Sequence, residues 1–230
     1  TNKELTMTTF QQRGNTPPAV LNLLIANGVA FIATLLLNKY TIYEHFALFP
    51  VGSPFFEPWQ LLTYMFLHGD FSHLFFNMFA LWMFGRGLEW DLGTKRFTIY
   101  YFVCGIGAAL VQLAMAEIDI ARLAEGSQLY WQYLCAPTLG ASGSVFGLLL
   151  AFGMLHPNAT IMLLFPPIPM KAKWFVIIYG LIELFFGISG RMDNVAHFAH
   201  LGGMFWGWLL LLWWRYQARR RFYQNNDYDV

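Results

Sequence analysis

Two short stretches of this chain contain side chains that could carry out acyl transfer. The first is the Gly-Ala-Ser-Gly stretch at 140–143, which contains Ser142, and the second is the stretch at 199–207, which contains His200. A hydroxyl and an imidazole within hydrogen-bond reach can act as nucleophile and general base. Both stretches begin apolar runs of helical length, and reactive polar groups at such positions indicate a function performed inside a membrane.

Ser142 lies near the start of an apolar run, Ala141 to Leu155, which His156-Pro157 ends. A helix of about fifteen residues is only ~22 Å long, against ~30 Å for the hydrocarbon core of a bilayer. Ser142 should therefore lie several Å below the membrane surface, beside free N–H groups that could stabilise an oxyanion. Ser144 is a rival nucleophile, but it lies about 200° further around the helix and should face away.

Glycines accompany both candidate residues at helical spacing. Gly203 and Gly207 follow His200 at i+3 and i+7, and Gly143 and Gly147 form a similar pair beside Ser142. Glycine faces on membrane helices allow two backbones to approach closely. If these two faces meet, the imidazole and the hydroxyl come within hydrogen-bond reach. The alternative is that the glycines serve packing alone and that both polar residues are ordinary helix-end residues.

His73 and Asn77 form a second pair of polar residues, at i and i+4 on one face of an otherwise apolar run. Aimed at a reacting carbonyl, their donors would form an oxyanion hole with the N–H of Ser142. A structural hydrogen bond between helices is the alternative. Phe146 lies one turn after Ser142, so its ring could pack against His200 and hold the imidazole in place.

The composition indicates a membrane protein with one domain. Of its 230 residues, 57% are hydrophobic and 12% are charged, whereas soluble domains average about 45–50% and 25%. The net charge of +1 gives no indication of nucleic-acid binding. Six apolar runs predict an all-α bundle of six transmembrane helices. They are Ala19–Asn38, Phe71–Glu89, Phe97–Ala116, Ala141–Leu155, Trp174–Ile188 and Ala199–Trp214.

Lysine and arginine predict the orientation of these spans. Eleven basic residues fall on one side: Lys3, Arg13, Arg86, Lys95, Arg96, Lys171, Lys173, Arg215, Arg219, Arg220 and Arg221. The other side has three: Lys39, Arg122 and Arg191. This bias predicts that both termini are cytoplasmic and that the second, fourth and sixth runs begin at the outer side.

The predicted domain covers residues 19–216. A polar cytoplasmic segment, 1–18, precedes it, and a basic and polar tail, 217–230, follows as a solvated end that touches lipid head groups. The aromatic and proline-rich segment 39–70 predicts a structured loop in the lipid interface, an ordinary outer loop being the alternative. His68, inside this segment, is expected to fix the loop.

These residues together resemble the rhomboid family of intramembrane serine proteases. Four motifs carry the resemblance: Gly140-x-Ser142-Gly143, Ala199-His200-x-x-Gly203-x-x-x-Gly207, His73-x-x-x-Asn77 and Gly85-x-x-x-Glu89-x-x-x-Gly93. They occupy the second, fourth and sixth runs in the family's order and on matching membrane sides. Six spans with both ends inside match the bacterial members. The resemblance therefore implies a bacterial cytoplasmic membrane, with the site open to the outer side.

The resemblance also implies roles for individual residues. Ser142 and His200 would form a catalytic dyad without an acid, and His73 and Asn77 would join the Ser142 N–H in the oxyanion hole. Phe146 stands where the family usually has a tyrosine that stacks on the catalytic histidine.

Other family positions imply structural roles. Glu89, between Gly85 and Gly93, would tie helix ends to a loop. Trp59-Gln60 replaces the Trp-Arg that the family often has at the base of the first outer loop, which should affect loop stability more than chemistry.

The leading hypothesis is thus a serine endopeptidase that cleaves transmembrane segments of other membrane proteins through an acyl-enzyme. Its partners would be transmembrane helices and the bilayer. The alternative is a catalytically inactive relative that binds transmembrane clients.

A third hypothesis is an intramembrane metal site, because His197 and His200 are i, i+3 neighbours that His73 could join. The His-Glu-x-x-His signature of zinc proteases is absent, and no acidic ligand is expected nearby. We therefore expect neither a metal nor another cofactor.

Two acidic residues lie close in sequence to the sixth run. Glu183, inside the fifth run, is a functional candidate because ionisable residues in membrane helices are costly, but the sequence does not name its partner. Asp193, in the following loop, is expected to be solvated rather than catalytic. The fifth run is not held by a glycine motif, which makes it a candidate for a gating motion.

Overall fold

The computed structural model describes residues 15–162, 168–189 and 196–226. Within these ranges the fold consists of helices and one two-stranded antiparallel sheet. The elements are α1 (Pro18–Leu36), α2 (Lys39–Phe46), α3 (Gln60–Thr63) with a following 3-10 turn (Tyr64–Phe66), α4 (Phe71–Leu92), α5 (Thr94–Ile120), α6 (Gln128–Leu134), α7 (Ser142–Leu155), β1 (Thr160–Met162), β2 (Pro169–Lys171), α8 (Ala172–Ser189) and α9 (His197–Asn226).

Three of the helices in the described ranges are long and apolar enough to cross a membrane by length and composition. They are α1, α5 and α8, and α7 is a shorter apolar helix. These helices confirm that the chain is a largely helical membrane protein. Each of the six predicted runs overlaps one of the longer helices, and most of their ends differ from the helix ends by a few residues.

Helix α7 lies at the centre of the bundle, in contact with α4, α5, α8 and α9. Its small residues explain this position, because Gly143, Gly147 and Ala151 are buried and leave room for neighbouring backbones. Helix α9 packs closely on both α5 and α7. The beginnings of α7 and α9, where Ser142 and His200 lie, are thereby held against each other.

The segment between α1 and α4 is folded against the start of α7. Leu48 and Thr138 exchange two backbone hydrogen bonds of 2.9 and 2.8 Å, and Gly140 N–H donates to the carbonyl of Tyr64 at 2.9 Å. Ala47, Phe49 and Leu67 form a small buried cluster of their own. This packing fixes the backbone that leads into Ser142.

Two features of the fold differ from the sequence-based expectations. Strands β1 and β2, paired from Thr160 with Lys171 to Met162 with Pro169, lie in the connection between α7 and α8, where no strand was predicted. Helix α9 continues past Trp214 to Asn226 instead of ending before a tail. Arginine and glutamine are good helix formers, so the change to polar residues does not end the helix. Segments 1–14 and 227–230, and the residues Arg191 and Asp193, lie outside the described residues.

Candidate active site

Ser142 and His200 form a hydrogen bond with each other. The Oγ atom of Ser142 lies 2.8 Å from Nε2 of His200. Ser142 is the first residue of α7 and is partly exposed, whereas His200 lies in the first turn of α9 and is 8% exposed. The hydroxyl and the imidazole that the sequence singled out are therefore within proton-transfer distance.

Close glycine contacts between α7 and α9 set this distance. A methyl group on Gly203 would overlap the carbonyl of Gly143. One on Gly147 would overlap Cys104 of α5 and would also lie 3.2 Å from the carbonyl of Gly203. Gly207 differs from the expectation, because a methyl group there would meet Tyr100 and Cys104 of α5. The glycine face of α9 thus accommodates two neighbouring helices, and only its first part meets α7.

Phe146 stacks on the imidazole of His200. The two rings are nearly parallel, with an interplanar angle of 6° and centroids 4.2 Å apart. Tyr179 of α8 packs against Phe146, with ring centroids 5.9 Å apart. Ser144 points away from His200, as the helical geometry predicted, and donates a 2.7 Å hydrogen bond to the carbonyl of Tyr101.

Glu183 lies on the side of His200 that faces away from Ser142. Its Oε2 atom is 2.9 Å from Nδ1 of His200 and 2.7 Å from Nδ1 of His197. Sequence reasoning named Glu183 as a candidate but found no partner for it. A signal was present in the sequence, because Gly180 and Gly187 flank Glu183 at i−3 and i+4 on the same helix face.

Those two glycines also correct the expectation that the fifth run is not held by glycines. A methyl group on Gly180 would contact Met204, and one on Gly187 would contact Phe198 and His197. The glycine face of α8 therefore lies against α9, next to Glu183.

Glu183, His197 and His200 also form a set of side chains that could hold a metal ion. All three are buried, and their ligand atoms lie within 4.8 Å of one another. The expectation that no acidic group would lie near these histidines is therefore wrong. His73, the third histidine considered, is not part of this set. The short contacts between the carboxylate and both imidazoles are also those of a hydrogen-bonded cluster.

His73 and Ser142 both lie close to Gly140. A methyl group on Gly140 would lie 2.8 Å from Nε2 of His73 and 3.7 Å from Oγ of Ser142. Gly140 has a φ of +128°, a conformation that residues with a side chain rarely adopt. The glycine thus leaves a small space bordered by the hydroxyl and the imidazole.

Asn77 is buried one turn after His73. Its Nδ2 donates a 3.0 Å hydrogen bond to the carbonyl of His73 in the same helix. An amide NH2 group has two donors, so this contact occupies one of them. Asp70 caps the start of α4 by accepting a 2.9 Å hydrogen bond from the N–H of His73. This cap fixes the first turn of the helix, from which the side chains of His73 and Asn77 project.

His68 packs against His73 from the preceding loop. The two rings meet edge to face with centroids 5.0 Å apart, and His68 is 1% exposed. Burial, and then repulsion from His73, lower the pKa of His68 to about 4. The hydroxyl of Tyr43 donates to the His68 carbonyl at 2.9 Å, so His68 is tied into the outer segment.

Glu89, near the end of α4, connects this helix to the starts of α1 and α5. Its two carboxylate oxygens accept hydrogen bonds of 2.9 and 2.8 Å from the N–H groups of Ala19 and Val20 at the start of α1. Thr94, at the start of α5, donates another at 2.8 Å. A carboxylate at helix N-termini is electrostatically favourable.

Two glycines near Glu89 have different surroundings. A methyl group on Gly85 would lie 3.0 Å from Val20 and 3.3 Å from Phe97, so α1 packs closely on this part of α4. Gly93 ends α4 with a φ of +77° and a ψ of 152°, a backbone conformation open mainly to glycine.

Trp59 and Gln60 hold the outer segment together. Trp59 donates through Nε1 to the carbonyl of His45 at 2.9 Å. Gln60 is fully buried, donates to the carbonyls of Glu44 and Phe55, and accepts from the N–H of Phe49. A neutral amide satisfies all three backbone groups without an ion pair.

The arrangement can support nucleophilic acyl transfer. A base lies next to a hydroxyl, a carboxylate lies behind the base, and the first turn of α7 presents N–H groups near the hydroxyl.

Comparison with known proteins identifies relatives of this chain. A family model described as the Rhomboid domain matches residues 56–217. Rhomboid protein 1, mitochondrial, from Saccharomyces cerevisiae is 34% identical over 160 residues, covering 68% of this chain and 43% of that protein. RHOMBOID-like protein 5 from Arabidopsis thaliana is 32% identical over 175 residues, covering 76% of this chain and 51% of that protein.

A bacterial protein is also similar. Rhomboid protease GluP from Bacillus subtilis is 28% identical over 151 residues, covering 66% of this chain and 25% of that protein. The chain thus spans about half, or less, of the length of these relatives. Mitochondrial and plant proteins stand among them, so the bacterial origin expected from the sequence is not borne out.

Proposed function

Because the chain belongs to the rhomboid family, we propose that it is a serine endopeptidase that cleaves transmembrane segments of other membrane proteins. The observation that carries this proposal is the 2.8 Å contact between Ser142 Oγ and His200 Nε2 at adjoining helix starts. Family membership alone supports a membrane protein of this class, whereas this contact supports a working nucleophile and base.

In the first half of the reaction, Ser142 Oγ attacks the carbonyl carbon of a substrate peptide bond. His200 Nε2 takes the hydroxyl proton as the new C–O bond forms. The C–N bond then breaks, and the leaving amine receives that proton from His200. The products of this step are an acyl-enzyme on Ser142 and a free amine.

In the second half, water attacks the ester carbon of the acyl-enzyme. His200 takes a proton from the water and returns it to Ser142 Oγ as the ester bond breaks. The new carboxylic acid leaves, and the hydroxyl and imidazole regain their starting protonation.

The oxyanion formed in both halves needs hydrogen-bond donors. We assign this role to the N–H of Ser142, to His73 and to the free donor of Asn77. The surroundings of Gly140 support the assignment of His73, because an atom placed where a methyl group on Gly140 would lie is 2.8 Å from His73 Nε2 and 3.7 Å from Ser142 Oγ. A carbonyl oxygen bound at that point would lie near both groups.

The membrane placement follows the six-span interpretation, in which α1, α4, α5, α7, α8 and α9 cross the bilayer. The basic residues favour both termini on one side, with Ser142 and His200 below the opposite surface. The outer segment between α1 and α4 would then lie in the lipid interface. Substrate helices must unwind locally at the cleavage site, because helical carbonyls are already hydrogen-bonded.

Cleavage of a model transmembrane substrate in proteoliposomes tests the proposed function. The wild type should cut the substrate, and Ser142→Ala should not. Ser144→Ala is the matched control, because it removes a hydroxyl two residues away that points at Tyr101, and it should keep activity. Equal cleavage by wild type and Ser142→Ala would refute the assignment. Binding of the substrate without cleavage by the wild type would favour the inactive, client-binding alternative.

A further inference from the structure

The imidazole of His200 is held from both sides. Its Nε2 faces Ser142 Oγ at 2.8 Å and its Nδ1 faces Glu183 Oε2 at 2.9 Å. Phe146 covers one face of the ring in a parallel stack. The hydroxyl, imidazole and carboxylate therefore form a continuous hydrogen-bonded row across α7, α9 and α8.

The position of Glu183 on α8 is unusual for a membrane helix. The buried residues of α8 are Ala172, Val176 and Glu183, which share one face because they are separated by whole turns. Leu181, Leu184 and Phe185 beside it are exposed. The helix thus turns its one carboxylate inward, towards His200, and its apolar side chains outward. An ionisable group at such a position is expected to have a function.

The contacts assign the protons of the two histidines. An ionised carboxylate oxygen only accepts hydrogen bonds, and Glu183 Oε2 receives both Nδ1 atoms. Both Nδ1 atoms must then carry protons. A neutral His200 with a proton on Nδ1 has an unprotonated Nε2, which is the form that can accept the proton of Ser142.

We propose that Glu183 is a positioning residue for His200, so that this chain works with a Ser142–His200–Glu183 triad instead of a dyad. The inference rests on the proposed function. Glu183 keeps the imidazole in the tautomer that exposes Nε2 to Ser142. It also stabilises the imidazolium that forms when His200 takes the serine proton, and it stays ionised throughout.

His197 gives the carboxylate a second anchor. Its Nδ1 donates to the same oxygen at 2.7 Å, and its ring stacks on Phe186 with centroids 5.7 Å apart. The second donor fixes the direction of the carboxylate, because Glu183 would otherwise have several rotamers available. His197 therefore acts on Glu183, while Glu183 acts on His200.

Three substitutions at one position test the role of the carboxylate. Glu183→Gln keeps an acceptor for Nδ1 but removes the charge, Glu183→Ala removes both, and Glu183→Asp keeps the charge on a shorter side chain. The rates to compare are the second-order labelling of Ser142 by a fluorophosphonate and kcat and KM for a transmembrane substrate in proteoliposomes.

We expect Glu183→Gln to lower the labelling rate and kcat by about 10- to 1000-fold. This range corresponds to the roughly one to three pKa units by which a nearby opposite charge stabilises a charged group, here the imidazolium of His200. KM should change little, because Glu183 does not touch substrate. Glu183→Asp should be faster than Glu183→Gln. The matched control is Glu117→Gln, which removes a carboxylate that accepts a hydrogen bond from Gly52 far from His200, and it should leave both rates unchanged.

A measurement on the wild type keeps the proposal testable if the variants fail to fold. The nitrogen chemical shifts of isotopically labelled histidine in micelles report which ring nitrogen carries the proton. His200 should have its proton on Nδ1, and an Nε2–H tautomer at neutral pH would overturn the proposal. Loss of wild-type activity in strong chelator would also overturn it, because Glu183 would then be a metal ligand.

The outcomes separate this proposal from the proposed function. If the wild type is labelled at Ser142 and Glu183→Gln is labelled equally fast, the triad is wrong and the peptidase assignment stands. If the wild type is neither labelled nor active, both are wrong. A slow Glu183→Gln variant with wild-type thermal stability supports the triad, since a merely structural role would lower stability as well.

Discussion

Phe146 stacks on the imidazole of His200, whose Nε2 faces Ser142 Oγ. Under the proposed function, this stack holds the base in the orientation that the reaction needs. Ring pairs of this kind contribute about 0.5–1.5 kcal/mol beyond their buried area. Phe146→Ala should therefore lower the fluorophosphonate labelling rate about 2- to 10-fold, since the ring of His200 loses one of its supports. Phe146→Tyr keeps the stack and serves as the control, with a rate close to wild type. An unchanged rate in Phe146→Ala would show that the stack does not orient the base.

His73 provides a test of the proposed oxyanion hole. Removing one oxyanion donor costs about 10²- to 10³-fold in kcat in serine proteases, so His73→Ala should lower kcat for a transmembrane substrate by that order. KM should change less, because the donor acts most strongly on the developing negative charge. His45→Ala, in the outer segment and remote from Ser142, is the control. If His73→Ala has the same kcat as the wild type, His73 is not part of the oxyanion hole.

At the scale of secondary-structure elements, the close approach of α7 and α9 sets the distance between the Ser142 hydroxyl and the His200 imidazole. Gly203→Ala places a methyl group against the backbone carbonyl of Gly143, which cannot move aside as a side chain could. Overpacking of this kind costs typically 1–3 kcal/mol. The variant should lose most activity and unfold at a lower temperature.

Gly28→Ala is the matched control for that variant. It makes the same change in helix α1, where an added methyl group has nothing within 4 Å. Helix propensity favours alanine there, so stability should be unchanged or slightly higher. Full activity in Gly203→Ala would contradict the claim that the helix contact sets the distance between Ser142 and His200.

The secondary-structure elements also show which contacts could be predicted from the sequence. Ser142, His200 and Phe146 could be brought together from the sequence, because glycines at helical spacing indicate which faces meet. Gly180 and Gly187 indicate that the face of α8 carrying Glu183 packs against another helix. The spacing within one helix does not say which neighbour that is or at what angle it approaches, so His200 could not be named as the partner of Glu183. Strands β1 and β2 could not be predicted either, because three residues are too few for a recognisable alternation of apolar and polar side chains. The proline at the start of β2 weakens the strand signal further.

At the scale of the whole molecule, the candidate active site and the hydrogen bonds of Glu89 lie in different parts of the fold. The candidate site draws Ser142 from α7, His200 from α9, Glu183 from α8 and His73 from the start of α4. Glu89 ties α1, α4 and α5 together near the other end of α4. The sequence alone was sufficient for the family and for the helical membrane class, since four separate motifs and a high apolar content agree. The bacterial origin inferred with them is not borne out, because the number of spans does not identify an organism.

His68 makes the stability of the whole molecule depend on pH. Burial lowers the pKa of His68 from its usual value of 6.5 to about 4. In the unfolded chain this histidine therefore binds a proton at higher pH than it does in the folded protein. Folding is thus unaffected by this group above pH 6.5 and loses stability as pH falls from there to 4, by up to roughly 3 kcal/mol. Thermal unfolding in detergent between pH 7 and pH 4.5 measures this loss.

The variant His68→Gln separates this effect from other titrating groups. It should be less stable than wild type at pH 7, because a packed ring is lost, but its melting temperature should fall less between pH 7 and pH 4.5. A parallel fall in both proteins would show that His68 is not responsible.

The nucleophile assignment is tested most directly by locating a covalent adduct. After reaction of the wild type with a fluorophosphonate, peptide mass spectrometry should find the phosphonyl group on Ser142, with no adduct there in His200→Ala on the same timescale. An adduct on another residue, or equal labelling of Ser142 without His200, would contradict the account in which an imidazole activates this serine.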